Sequence, residues 1–166
     1  MHGIRYIEEF ISAPEELFKL LKDNVEWDES MSDQKTASLG VPYDYSESTS
    51  PHTRLIPELT NIVNRIEHEF DFEPNNCLIT YYPEGDSKVG FNADQTELLD
   101  DNSGIAILSI GETRTLQVKN IIETVDFELS SGSLLYMTQK VQQVWQHSIP
   151  AGGRMSLTFR RIKHLI

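Results

Sequence analysis

The stretch GIAILSIGETRTLQVKNIIETVDFELSSGSLLYM, residues 104–137, decides the fold. It contains four short runs rich in β-branched, aromatic and other apolar residues: GIAILSI (104–110), RTLQVK (114–119), TVDFEL (124–129) and SLLYM (133–137). That composition suits pleated strands. Gly111-Glu112 and Ser131-Gly132 supply turn signals between them. Outward from this stretch the pattern continues on both sides. CLITYY (77–82) precedes it, followed by the turn Pro83-Glu84-Gly85-Asp86. VQQVWQHSI (141–149) and MSLTFRRI (155–162) follow it, separated by Gly152-Gly153. Many short strands at even spacing predict two packed sheets, a sandwich or a jelly roll.

The N-terminal part reads differently. Residues 1–11 suggest a short strand with Ile4, Tyr6 and Ile7 inward. Ser12-Ala13-Pro14-Glu15 has serine three residues before glutamate, the pattern of a capping box, with a proline suited to the first turn. Leu17, Phe18, Leu20 and Leu21 then form the apolar stripe of a helix ending near Asn24. A second helix over 56–70 follows from Leu59, Ile62, Val63, Ile66 and Phe70, and Pro74 closes the connection. Helices followed by a run of antiparallel strands predict an α+β domain. Residues 26–54 are rich in Ser, Thr, Asp and Tyr and read as a surface loop or substrate lid, with short strands at 35–39 and 43–45. Trp27, Tyr43 and Tyr45 in it either line a pocket or pin the loop to the core. Residues 1–166 are expected to form one domain, with 76–162 as its β core.

Composition limits the function classes. The 166 residues suffice for one domain with a full core. The net charge is −12, with 26 acidic residues against 14 basic ones. A field of that sign repels phosphate backbones, so nucleic acid is a disfavoured partner, although such charge also serves simply to keep a protein soluble. No run of 18 apolar residues occurs and the first residues resemble no secretory leader, so no membrane association is expected. Cys77 is the only cysteine, which excludes an intramolecular disulfide and suits a reducing cytoplasm. A monomer is expected.

Three features carry candidate chemistry. Among five histidines, His147 stands out. It sits in WQHSIP, at the end of a β-rich run beside a turn, where scaffolds present functional groups. Asn92-Ala93-Asp94 follows the short apolar step Val89-Gly90-Phe91, and strand alternation puts positions 92 and 94 on one face. Arg154 and Arg160 are six residues apart on one strand, also on one face. Arginine forks match carboxylates, and facing a β core they require anionic partners. Two histidines and a carboxylate on one face mark non-haem iron(II) oxygenases; here the set is one histidine, one carboxylate and one amide.

Singly these signals are weak; their order and spacing are more specific. NxD, then His147, then RxxxxxR resembles the HxD…H…RxxxxxR layout of AlkB-type Fe(II)/2-oxoglutarate dioxygenases. CLITYYPEGDSKVGF, GIAILSIGETRTLQVK, SGSLLYMTQKVQQVWQHSIP and GRMSLTFRRI resemble the segments around those motifs, and TASLGVPYDY resembles the family's lid, so the likeness covers about residues 36–162. The resemblance implies a double-stranded β-helix (jelly-roll, cupin-like) core with the two N-terminal helices packed against the sheet. It implies Fe(II), 2-oxoglutarate and O₂, and oxidation of a substrate C–H bond. Asp94 and His147 match metal ligands, and Asn92 stands where the family has histidine. Arg154 matches the arginine on the distal carboxylate of 2-oxoglutarate, Arg160 the second arginine, and Tyr82 the tyrosine that bonds the co-substrate. Thr80 replaces an asparagine beside it. Thr96 occupies the position of an acid that helps DNA-repair members read the base, with Glu97 next to it. The implied reaction is demethylation of an N-alkylated nucleobase. The alternatives are an oxygenase acting on a small molecule or protein side chain, and an inactive binding module of the same fold. Amide is a weak ligand compared with imidazole. Asn92 therefore either lends a carbonyl to the iron or marks a site crippled by a natural or introduced change.

Overall fold

The computed structural model describes residues 3–29, 35–40, 56–83, 88–92, 99–100, 103–150 and 153–162; at 88–92, 142–144 and 147–150 it describes the backbone alone. In chain order the elements are β1 (Ile4–Ile7), α1 (Pro14–Asn24), β2 (Lys35–Gly40), α2 (Pro57–Phe70), β3 (Asn76–Tyr82), β4 (Lys88–Asn92), β5 (Ile105–Gly111), β6 (Arg114–Lys119), β7 (Thr124–Leu129), β8 (Ser133–Met137), α3 (Gln139–Val144), β9 (Gln146–Pro150) and β10 (Arg154–Arg160). The strands form two antiparallel sheets. The larger runs β1-β8-β5-β10-β3-β2 and the smaller β4-β9-β6-β7. This is the two-sheet α+β architecture expected from the strand-rich C-terminal half.

Alternation along the central strands sorts the larger sheet into two faces. Met155, Leu157 and Phe159 of β10, with Cys77, Ile79 and Tyr81 of β3, face the helices. They pack against Leu17 and Leu21 of α1 and Leu59, Ile62, Val63 and Ile66 of α2. The helices thus cover the outer face of the larger sheet, as their apolar stripes predict. The opposite face meets the smaller sheet, where Leu116, Val118 and Leu129 pack with Leu135, Met137 and Val141. Burial holds the Cys77 thiol strongly in its protonated form, as befits an inert core residue.

Several local expectations are corrected. The cap of α1 is Ala13, not Ser12, and no side chain caps the helix; only Pro14 acts there as predicted. The run 141–149 is not one strand. Val144 ends the short helix α3, and β9 starts at Gln146. The Thr138 hydroxyl accepts from the Val141 amide at 3.4 Å. Gln139 donates its side-chain amide to the carbonyls of Asp100 and Ser103 at 2.6 and 2.8 Å. Cap and anchor wind the first turn against the strand propensity of the following residues. Within the segment read as a lid, Lys35–Gly40 is the edge strand of the larger sheet, and Asp28 is bridged to Thr36. The expected strand at 43–45 lies outside the described residues. Among the described residues, no helix is long and apolar enough to cross a membrane.

Candidate active site

The inner face of β10 bears Arg154, Ser156, Thr158 and Arg160, an uninterrupted polar strip between arginines at its two ends. Register lines this strip with Tyr82 opposite Arg154, Thr80 opposite Ser156 and Asn76 opposite Arg160. Arg154 is only 2% exposed. One guanidinium nitrogen donates to the Ser109 hydroxyl at 2.8 Å. Its Nε has no partner, and no acidic side chain among the described residues pairs with it. Burial lowers its pKa to about 10; the Tyr82 phenol works in the opposite direction, and Arg114 adds a further lowering. A buried cation without a carboxylate is unfavourable unless an anion completes it. The subsite therefore fits a carboxylate of 2-oxoglutarate on the chemistry of its donors: a fork, a hydroxyl and a phenol.

The second half of the site hangs from the smaller sheet. Asn92, the last residue of β4, is the direct cross-strand partner of His147 in β9, and His147 in turn pairs with Val118 of β6. Val118 is fully buried between the sheets. Positions that pair directly share a face of a sheet, so 92 and 147 belong to the row that faces the larger sheet. The register between Val89 and Asn92 is irregular, with three steps on β4 against two on β9, a β-bulge. One imidazole position and one amide position thus stand side by side across from the polar strip. As a donor pair for iron this is weaker than two imidazoles.

The remaining expected residues fall in two groups. Asp94, Thr96, Glu97, Tyr43 and Tyr45 lie outside the described residues. Trp27 does not join the site. It packs on the ring of Tyr81 at 5.7 Å, on the helix-covered face of the larger sheet, and donates its indole N–H to the Lys22 carbonyl at 3.2 Å. Of the two roles open to Trp27, the structure favours pinning the loop to the core. Ser109, which the sequence reading missed, contacts Arg154 directly. The available signal was a lone hydroxyl in the apolar run GIAILSI, on the face opposite to Leu108 and Ile110.

Comparison with known proteins matches this arrangement. The sequence model of the 2OG-Fe(II) oxygenase superfamily fits residues 6–162. The chain belongs to this superfamily, on its AlkB-like branch. It is 30% identical over 139 residues to alpha-ketoglutarate-dependent dioxygenase alkB homolog 3 of Mus musculus, covering 74% of this chain and 49% of that protein. It is 28% identical over 138 residues to DNA oxidative demethylase ALKBH2 of Mus musculus, covering 74% of this chain and 58% of the relative. The chain thus spans about half the length of these curated relatives. The solved structure of OsALKBH1 superposes with a TM-score of 0.72 at 15% identity, covering 96% of this chain and 98% of that one, so the double-stranded β-helix fold is shared. Membership implies Fe(II) and 2-oxoglutarate as cofactor and co-substrate.

Proposed function

We propose that the chain is an Fe(II)- and 2-oxoglutarate-dependent dioxygenase that hydroxylates a substrate C–H bond, with oxidative demethylation of an N-alkylated nucleobase as the leading reaction. The observation that carries this is the buried Arg154, paired with no acidic side chain among the described residues and set on one sheet across from the Asn92–His147 row of the other. In this reading Arg154 and Tyr82 hold the distal carboxylate of 2-oxoglutarate, and Thr80 and Arg160 line the strip along which it lies. Asp94 and His147, with the Asn92 carbonyl as a weak third donor, hold iron. Bound iron supplies activation of O₂, and the overall reaction converts 2-oxoglutarate, O₂ and R–H into succinate, CO₂ and R–OH. When R–H is an N-methyl group, the hydroxymethyl product loses formaldehyde. The chain's own residues orient the co-substrate and exclude water from the space between the sheets. The nucleobase reading is supported by the mouse relative that is a DNA oxidative demethylase. The charge of −12 favours a small molecule or a protein side chain instead.

A second reading, a binding module of the same fold without turnover, is favoured by the amide at position 92 alone. One experiment separates the two. The chain and its Asn92→His variant are given Fe(II), ascorbate, 2-oxoglutarate and methylated single-stranded DNA, and succinate and repaired base are measured by mass spectrometry. The substitution is expected to tighten divalent metal binding at least tenfold, as followed by titration calorimetry. Succinate from the unaltered chain supports the enzyme, and succinate from the variant alone supports the binding module. Failure of the variant to bind metal or make succinate would sink the oxygenase reading.

A further inference from the structure

β7 is an outer strand of the smaller sheet, paired with β6 on one side only. An antiparallel ladder bonds alternate residues to the neighbouring strand and turns the backbone groups of the others outward. The Tyr6 hydroxyl shows which set is which. It donates to the Glu128 carbonyl and accepts from the Ser130 amide at 3.4 Å, so even-numbered residues present their backbone away from β6. At the other end the Asn120 amide donates to the Glu123 carbonyl at 3.0 Å, which puts the odd-numbered residues on the β6 side. Tyr6 thus covers one end of the edge. Beyond it Thr124 and Asp126 turn their N–H and C=O groups outward, and no described strand lies beside them. Proline, lysine or a bulge commonly blunts such an edge. TVDFEL contains neither residue, and its register with β6 is unbroken from Leu129 to Thr124.

Two further features sit on this edge. The turn that leads into β7 carries Ile121 and Ile122 at its corners; Ile121 is fully exposed and Ile122 is 85% exposed. Among the described residues they are the only large apolar side chains so placed. Corners of such short turns favour Asn, Asp and Gly. Here the Asn120 side chain does the turning, because its Oδ1 accepts from the Ile122 and Glu123 amides at 2.8 Å each. The isoleucines are therefore not required by the turn. The second feature is charge. Glu123, Asp126 and Glu128 are exposed, and no Lys or Arg occurs in 120–129. An apolar tip, an unpaired backbone edge and a row of acids select one kind of partner. A second copy of this chain pairing edge to edge would bring acid against acid. A phosphate backbone meets the same repulsion. An extended basic polypeptide meets none: its backbone continues the ladder, its cations face the acids, and an apolar side chain rests on the isoleucines.

We infer that the β7 edge docks an extended basic polypeptide segment with apolar residues, which adds a fifth strand to the four-stranded sheet. This stands apart from the oxygenase reading above, since it uses neither Arg154 nor the Asn92–His147 row. A labelled peptide of alternating lysine and valine, followed by fluorescence anisotropy, tests it, with amide hydrogen exchange to locate the contact. The unaltered chain is expected to bind this peptide and not its glutamate–valine counterpart. Binding should slow exchange at Thr124 and Asp126. Ile121→Ser/Ile122→Ser and Asp126→Lys/Glu128→Lys should each weaken binding about tenfold. Glu15→Lys/Glu16→Lys, the same change of charge at exposed positions of α1, should shift it less than about twofold. Ligand-free melting controls for folding. Equal losses from the two charge variants would reduce the effect to net charge and overturn the inference. So would unchanged exchange at Thr124 and Asp126, or displacement of the peptide by methylated single-stranded DNA. No binding of the peptide by the unaltered chain would refute the docking edge alone, because 2-oxoglutarate affinity is read separately.

Discussion

Replacing Arg154 by methionine separates the stability of the fold from the affinity of its site. In the folded chain the Arg154 pKa falls to about 10, with burial as the main cause. Holding the cation there disfavours folding by about 3 kcal/mol relative to an unfolded chain. The substitution removes that penalty. It also removes the 2.8 Å bond to the Ser109 hydroxyl, a charged hydrogen bond of about 1.5–3 kcal/mol. Methionine keeps most of the packing along the stem. The terms nearly cancel, so ligand-free stability should stay within about 2 kcal/mol of the unaltered chain, or less than about 8 °C in Tm. Ligand response should differ sharply. At a hundredfold excess over Kd, 2-oxoglutarate stabilises a binding fold by about 2.7 kcal/mol, or roughly 5–10 °C. The variant should show almost none of this. Thermal melting at increasing 2-oxoglutarate reads both quantities at once. Equal ligand-induced shifts in the two proteins would refute the anion-site argument. A ligand-free loss above about 4 kcal/mol would show that the arginine holds the structure together instead. Alkaline titration carries a defined sign. Because the folded pKa is depressed, the penalty is fully present below about pH 10 and fades as pH rises from there. A bound carboxylate favours the cation, so affinity for 2-oxoglutarate should fall above about pH 10.

Two further outcomes follow from packing. Phe159 is fully buried between β10 and the helices, so Phe159→Ala should lower stability by about 3–5 kcal/mol in urea unfolding; a loss under about 1 kcal/mol would contradict the assignment of that face as core. Trp27 packs on the opposite face of the larger sheet from Tyr82 and Arg154, so Trp27→Ala should destabilise by about 1–3 kcal/mol and leave the Kd for 2-oxoglutarate unchanged. An altered Kd would place Trp27 back in the site.

The strands were legible because their signals are local: β-branched runs punctuated by glycine turns, as in RTLQVK and TVDFEL. Helix α2 was legible for the same reason, from five apolar residues at helical spacing. Helix α3 was not, because what winds it is distant in sequence: Gln139 is held by the carbonyls of Asp100 and Ser103. The arginine pair on one face of β10 followed from simple alternation. Ser109 did not follow, since its relation to Arg154 depends on which strands are neighbours. The facing of positions 92 and 147 likewise needed a register that only pairing supplies.

The bulge in β4 gives that strand something like a reading frame. Val89 pairs with Ile149, so an uninterrupted ladder would bring Phe91, not Asn92, opposite His147. The extra residue shifts the count by one, and with it the face on which position 92 stands. Exchanging the amide at 92 for another side chain changes the chemistry of that position and leaves the frame intact. Inserting one residue between 89 and 92 would instead carry Asn92 one step past His147 and onto the other face, while the polar strip of β10 stayed where it is. In this strand, length is under tighter constraint than composition.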